Sequence, residues 1–187
     1  MLVKCGVCGA HVPAEVAVDL PESGERYCSL ACAMQRDAKG APLPLPALPR
    51  RILVAVDGSG PSLRATQMAI ALAREGGGAL TLLHAIDPAL LRRAAGETGD
   101  AAGRERALRA EAEGQLERCR RLCESAAVPA SLRIEVDVPA RAVAAAAEQA
   151  DLVVVGSRGL GAASGQSVGS LAQRLLAETR TPLLVIH

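Results

Sequence analysis

The chain has 187 residues, half of them apolar, and 21 Lys and Arg against 20 Asp and Glu leave a formal net charge of +1. That length supports one core of roughly 100–150 residues with chain left over, and the charge balance supplies no basic field for a nucleic-acid backbone. Tyr27 is the only aromatic residue, which disfavours the base-stacking sheets of RNA-recognition and single-strand-binding domains.

No apolar stretch reaches the ~20 residues that span a bilayer. The N-terminus, MLVKCGVCGAH, has no basic region followed by an apolar run, so no secretory signal is expected and the location is read as cytoplasmic. Paired cysteines in that compartment are more often metal ligands than disulfides.

The first such pairs are CGVC (5–8) and CSLAC (28–32), giving C-x2-C, nineteen residues, then C-x3-C. Cys5, Cys8, Cys28 and Cys32 can close a tetrahedral site, and Zn²⁺ fits four thiolates best. Residues 1–39 lack the area for a core of their own, so a metal is the expected source of their stability. The pattern resembles small zinc-ribbon-like and TRASH-like modules. Redox cycling of Cys5 and Cys8 is the rival reading, weakened because no βαβ unit follows them. His11 is read as a surface residue rather than a substitute ligand.

Prolines at 42, 44, 46 and 49 then mark residues 40–50 as an extended, semi-rigid linker, or else an ordered arm packed along the next domain. From residue 51 strands and helices alternate. RILVAVD (51–57) reads as a strand buried on both faces. PSLRATQMAIALARE (61–75) reads as a helix with Leu63, Met68 and Leu72 on its apolar stripe, closed by the glycines at 76–78. ALTLLHAID (79–87) is a second strand. A polar, glycine-containing stretch is expected over about 88–103, then a long helix to about 126. Within that helix Leu108, Leu116, Cys119 and Cys123 continue one apolar stripe, which makes the two cysteines core residues. SLRIEVDV (131–138), ARAVAAAAEQA (140–150), DLVVVG (151–156), a helix in SVGSLAQRLLAET and PLLVIH (182–187) complete the order. The fold class is therefore α/β: an open, Rossmann-like, five-stranded parallel sheet over 51–187, with helices on both faces. Ligands of such sheets bind at the carboxyl ends of strands where the strand order reverses. Asp57 and the glycine loop face one crevice there if the first and fourth strands are neighbours.

The loop after the fourth strand runs Gly156, two residues, Gly159, nine residues, Gly169-Ser170. Phosphate needs converging backbone N–H groups and no Cβ in the way, and a helix N-terminus adds both donors and a favourable dipole. No lysine follows the glycines, so this is not a P-loop. Ser164 and Ser167 read as solvated loop residues, with Ser167 also suited to a helix cap. The alternative for Asp57 is a helix N-cap or turn acid. His84 reads as a hydrogen-bonded structural residue, and no hydrolase triad is indicated.

Residues 50–187 resemble a universal stress protein domain through RILVAVDGS, LLHAID and GSRGLG…VGSLAQRLL…TPLLVIH. The G-x2-G-x9-G-[S/T] spacing resembles that of the family's ATP-binding branch, whose fold is adenine nucleotide alpha hydrolase-like. The resemblance implies ATP with Mg²⁺ as ligand. It implies that Ala55, Val56 and Asp57 meet the adenosine, Asp57 accepting from the ribose or approaching a metal, and that Ala85 meets the adenine edge through its backbone. Val155, Gly156, Ser157, Arg158, Gly159, Gly169 and Ser170 would form the phosphate and ribose loop. Arg158 departs from the family, which often has histidine there. A homodimer paired through the last strand is also implied.

The functional expectation is an ATP-binding stress-response regulator whose nucleotide state is coupled to a zinc module, with a protein partner of that module as a further expectation. The alternatives are a weak ATPase or phosphotransferase, for which Asp57 and Arg158 are the only evident groups, and a metal or redox sensor on a passive dimeric scaffold.

Overall fold

Short runs of branched aliphatic residues become buried strands, and the alanine-rich segments between them become helices that cover the sheet. The structure, a computed structural model, describes residues 1–19, 24–33, 35, 48–98, 100–159 and 168–187. It divides into two compact units, Met1–Ala47 and Leu48–His187.

In the first unit β1 (Leu2–Lys4) pairs antiparallel with β2 (His11–Pro13), and β3 (Val18–Asp19) with β4 (Arg26–Tyr27). A single turn of helix, α1 (Leu30–Ala33), follows. The turn between β1 and β2 closes with Cys5 N–H donating to the Ala10 carbonyl at 2.8 Å, and Gly9 takes the left-handed φ of +75° that the turn requires. Among its described residues, Cys5, Tyr27 and Ala33 are buried and apolar.

The second unit runs β5 (Arg51–Ala55), α2 (Gly60–Gly76), β6 (Ala79–Ile86), α3 (Pro88–Thr98), α4 (Ala101–Ser125), β7 (Ala130–Val136), α5 (Pro139–Ala147), β8 (Leu152–Gly156), α6 (Ser170–Glu178) and β9 (Leu183–Ile186). The sheet order is β7-β6-β5-β8-β9 and every neighbouring pair is parallel. The order therefore reverses at β5, whose neighbours are β6 on one side and β8 on the other. Strand alternation sends Ile52, Val54, Leu82 and Val154 to one face, against α2 and α4. Leu53, Leu83, Val153 and Val155 go to the other, against α5 and α6.

Two sequence expectations are corrected. The buried face of α2 is Ser62, Ala65, Thr66, Ala69 and Ala73, whereas Leu63 and Met68 are 45% and 44% exposed. Small residues win because the helix lies close against the sheet: a Cβ on Gly156 would stand 2.8 Å from Ser62 N. The stretch read as polar and glycine-containing over 88–103 holds α3 instead. Pro88 preorganises its first turn, and Asp87 Oδ1 accepts from Ala89 N–H at 2.8 Å, which outweighs the single helical glycine. Cys119 and Cys123 are buried in the core, 5% and 0% exposed, as the stripe on α4 indicated. Residues 40–47 of the expected linker lie outside the described residues. Among the described residues no helix is long and apolar enough to cross a membrane.

Candidate functional site

Because β5 and β8 are neighbours at the reversal, the chain leaves both strand ends into one crevice. A cavity of about 650 Å³ lies there. Ala55, Val56, Asp57, Ala85, Gly156, Ser157, Arg158, Gly159, Gly169 and Ser170 line it, so the structure brings together nearly all the residues singled out from the sequence. Val155 is not among them. It is fully buried in the core under α5 and α6, because alternation along β8 turns its side chain inward.

The turn after β5 is set by local hydrogen bonds. Ser59 caps α2, accepting from Ser62 N–H at 3.2 Å. Asp57 Oδ1 accepts from Ser59 N–H at 2.9 Å, and Asp57 N–H donates to Ser62 Oγ at 3.1 Å. Gly58 between them has φ +83°. Ser59 Oγ also donates to the Arg158 carbonyl at 3.4 Å, tying this turn to the glycine loop.

The glycine loop approaches closely from the other side. A Cβ on Gly159 would lie 2.5 Å from Asp57 Oδ2, so the loop backbone runs against that carboxylate. Gly169 N–H donates to the Ser157 carbonyl at 2.6 Å and closes the loop onto itself. Gly169 is also the N-cap of α6 and offers no side-chain cap, and the first turn of α6, Ser170 to Ala172, lines the cavity. Such an arrangement favours an anion. Ser164 and Ser167 lie outside the described residues.

Sequence reasoning missed the wall that the helices supply. Ser62 from α2, Leu90 from α3, Leu108, Glu111 and Gln115 from α4, and Pro139 and Val143 from α5 also line the cavity. Nothing in a helix's own pattern shows which residue near a strand end will face a ligand. His84 lines it too. Burial pushes its pKa below the ordinary histidine value, against a smaller opposing effect of the Val56 backbone.

A second constellation stands in the first unit. The sulfurs of Cys5, Cys8, Cys28 and Cys32 all lie within 4.8 Å of one another. Cys8 and Cys28 are 3.5 Å apart and Cys28 and Cys32 3.6 Å. A tetrahedral zinc site with Zn–S near 2.3 Å places its sulfurs about 3.8 Å apart, so the set fits that ion. Backbone N–H groups, that of Cys8 foremost, lower the Cys5 pKa to about 6, while the neighbouring Cys8 and Cys32 sulfurs push Cys28 up to about 12. Four sulfurs held this close repel once ionised, and a cation among them removes that cost. His11 is exposed and is not part of the group.

Comparison with known proteins bears on the larger unit. The profile of the Universal stress protein family matches residues 49–187. The chain is 34% identical over 148 residues, covering 74% of it and 98% of the relative, to a Thermus aquaticus protein described as "Universal stress protein in QAH/OAS sulfhydrylase 3′region". Among solved structures, the universal stress protein UspA from Lactobacillus plantarum superposes with a TM-score of 0.61 at 24% identity, over 73% of this chain and 97% of that one. A universal stress protein in complex with cAMP superposes with a TM-score of 0.56 at 25% identity, over 75% and 98% of the two chains.

Proposed function

The chain belongs to the universal stress protein family, and from that premise we propose that its larger unit binds an adenine nucleotide, ATP with Mg²⁺, as a regulatory ligand, while Cys5, Cys8, Cys28 and Cys32 hold Zn²⁺. The observation that carries the nucleotide reading is the convergence of Asp57, the Gly156–Gly159 backbone and the N-terminus of α6 on one cavity. Backbone donors and a helix N-terminus suit a polyphosphate. Ala55, Ala85 and Val143 offer aliphatic walls for a base where no aromatic side chain is present. On this reading Asp57 accepts from a ribose hydroxyl. The cAMP complex of a relative supports an adenylate in this fold.

The site favours binding over turnover. Fast phosphoryl transfer needs a group that positions water and cations that neutralise the transition state. Arg158 is the only Lys or Arg among the lining residues. The protein is read as a cytoplasmic stress-response regulator, with the cysteine module as a separate contact point for a protein partner. β9 is an edge strand of apolar sequence, and we read it as the surface of a homodimer.

The test is purification without added nucleotide, followed by identification of released nucleotide and of bound metal. One zinc per chain and an adenine nucleotide are expected. Gly169→Val should abolish nucleotide retention, since even a Cβ there would stand 3.3 Å from the Ser157 carbonyl oxygen, and should leave the zinc in place. Equal retention by the variant contradicts the assigned loop.

A further inference from the structure

We propose that the α4 side of the cavity is an outer-sphere site for a hydrated divalent cation, built from the Gln115 amide oxygen, His84 Nδ1 and the Glu111 carboxylate behind Asp57. The inference rests on the nucleotide reading for its biological setting and on separate groups for its evidence.

Gln115 is only 7% exposed and faces the cavity. Its Nε2 donates to Glu111 Oε1 at 3.3 Å, and its Oε1 has no partner among the described residues. His84 presents the same situation. Its buried Nδ1 has no partner among the described residues, and in the neutral ring protonated on Nε2 that atom is an acceptor. A buried acceptor left without a donor is costly, so two in one wall call for an explanation.

The charges around them agree in sign. Asp57, Asp87 and Glu111 line the cavity against a single cationic side chain, Arg158. Every orphan atom accepts and the surplus charge is negative, so the occupant must donate hydrogen bonds and carry positive charge. A bare ion does not satisfy the spacing. Among the described residues, only the four cysteines gather three or more His, Cys, Asp or Glu ligand atoms closely enough to grip one. A cation that keeps its water shell reaches further and donates from every water, and Mg²⁺ gives up its waters reluctantly.

The site borders the proposed phosphate loop. A Cβ on Gly58 would lie 2.7 Å from Gln115 Nε2, and one on Gly159 would lie 2.5 Å from Asp57 Oδ2. Gln115 thus backs the turn whose other side touches the loop. A polyphosphate brought beside these carboxylates is repelled unless a cation stands between them.

The probe is hexaamminecobalt(III), an inert cation that offers only N–H donors, added to the full chain without nucleotide and followed by ⁵⁹Co NMR line width. Wild type should broaden the line, and Glu111→Gln and Gln115→Met should each remove most of the broadening. In calorimetry with ATP, the gain in affinity on adding Mg²⁺ should fall roughly tenfold in both variants, as for loss of a partner from a charge-assisted contact. The gain is read within each protein as the ratio of its ATP affinities with and without Mg²⁺, so a general change in ATP binding does not enter it. No broadening by wild type, or broadening and Mg²⁺ gain unchanged in both variants, overturns the proposal. Failure of ATP to bind under any condition, with the cobalt result intact, removes the nucleotide reading and leaves the cation site standing. Glu111 is exposed at the rim, so Glu111→Gln keeps the test open if Gln115→Met does not fold.

Discussion

The two units of this chain differ in what they bury. The larger has apolar clusters on both faces of a five-stranded sheet. The smaller buries Cys5, Tyr27 and Ala33 and sets four sulfurs beside them. Its strands are two or three residues long, too short to hold by ladder bonds alone. On the proposed zinc reading, ligation would do in the smaller unit what apolar burial does in the larger.

The largest expected effect breaks the comparison at its weaker side. A strong chelator should unfold residues 1–33, since structural zinc contributes on the order of 10 kcal/mol to such modules. The amide resonances of β5 to β9 should stay dispersed. Loss of both units together would show that the larger one depends on metal too. The mirror experiment is Leu82→Ala, at a fully buried position of the sheet. It should destabilise the larger unit by roughly 2–5 kcal/mol in denaturant melts without releasing metal.

A smaller effect sharpens the picture of the sheet. Asp151, just before β8, binds the Arg51 side chain through two bonds, the shorter 2.6 Å, and accepts from the Arg51 and Arg50 backbone N–H groups. The Arg51 hydrogen bonds hold its pKa down to about 2. A depressed carboxylate stabilises the fold above its unfolded pKa, and that contribution is lost as pH falls through the folded value. Asp151→Asn should therefore lower the melting temperature slightly at pH 7 and remove part of the acid-side decline between about pH 4 and pH 2. Parallel declines in the variant and wild type would show that the pair contributes nothing.

Much of this molecule was readable before folding. Alternation of aliphatic strands with alanine-rich helices determined the parallel sheet, because crossovers of that length leave few other topologies. The glycine spacing and Asp57 pointed to the crevice, and the paired cysteines to one cluster, since both signals depend on local backbone freedom or ligand chemistry. The tertiary structure alone decided which face of α2 is buried, because close approach to Gly156 favours Ser62 and Ala65 over Leu63. It alone turned Val155 away from the cavity and brought Gln115, Glu111 and His84 to it. Those three share no sequence pattern. Their common environment exists only once α4 packs against β6 and β7, where distance in space no longer follows distance along the chain.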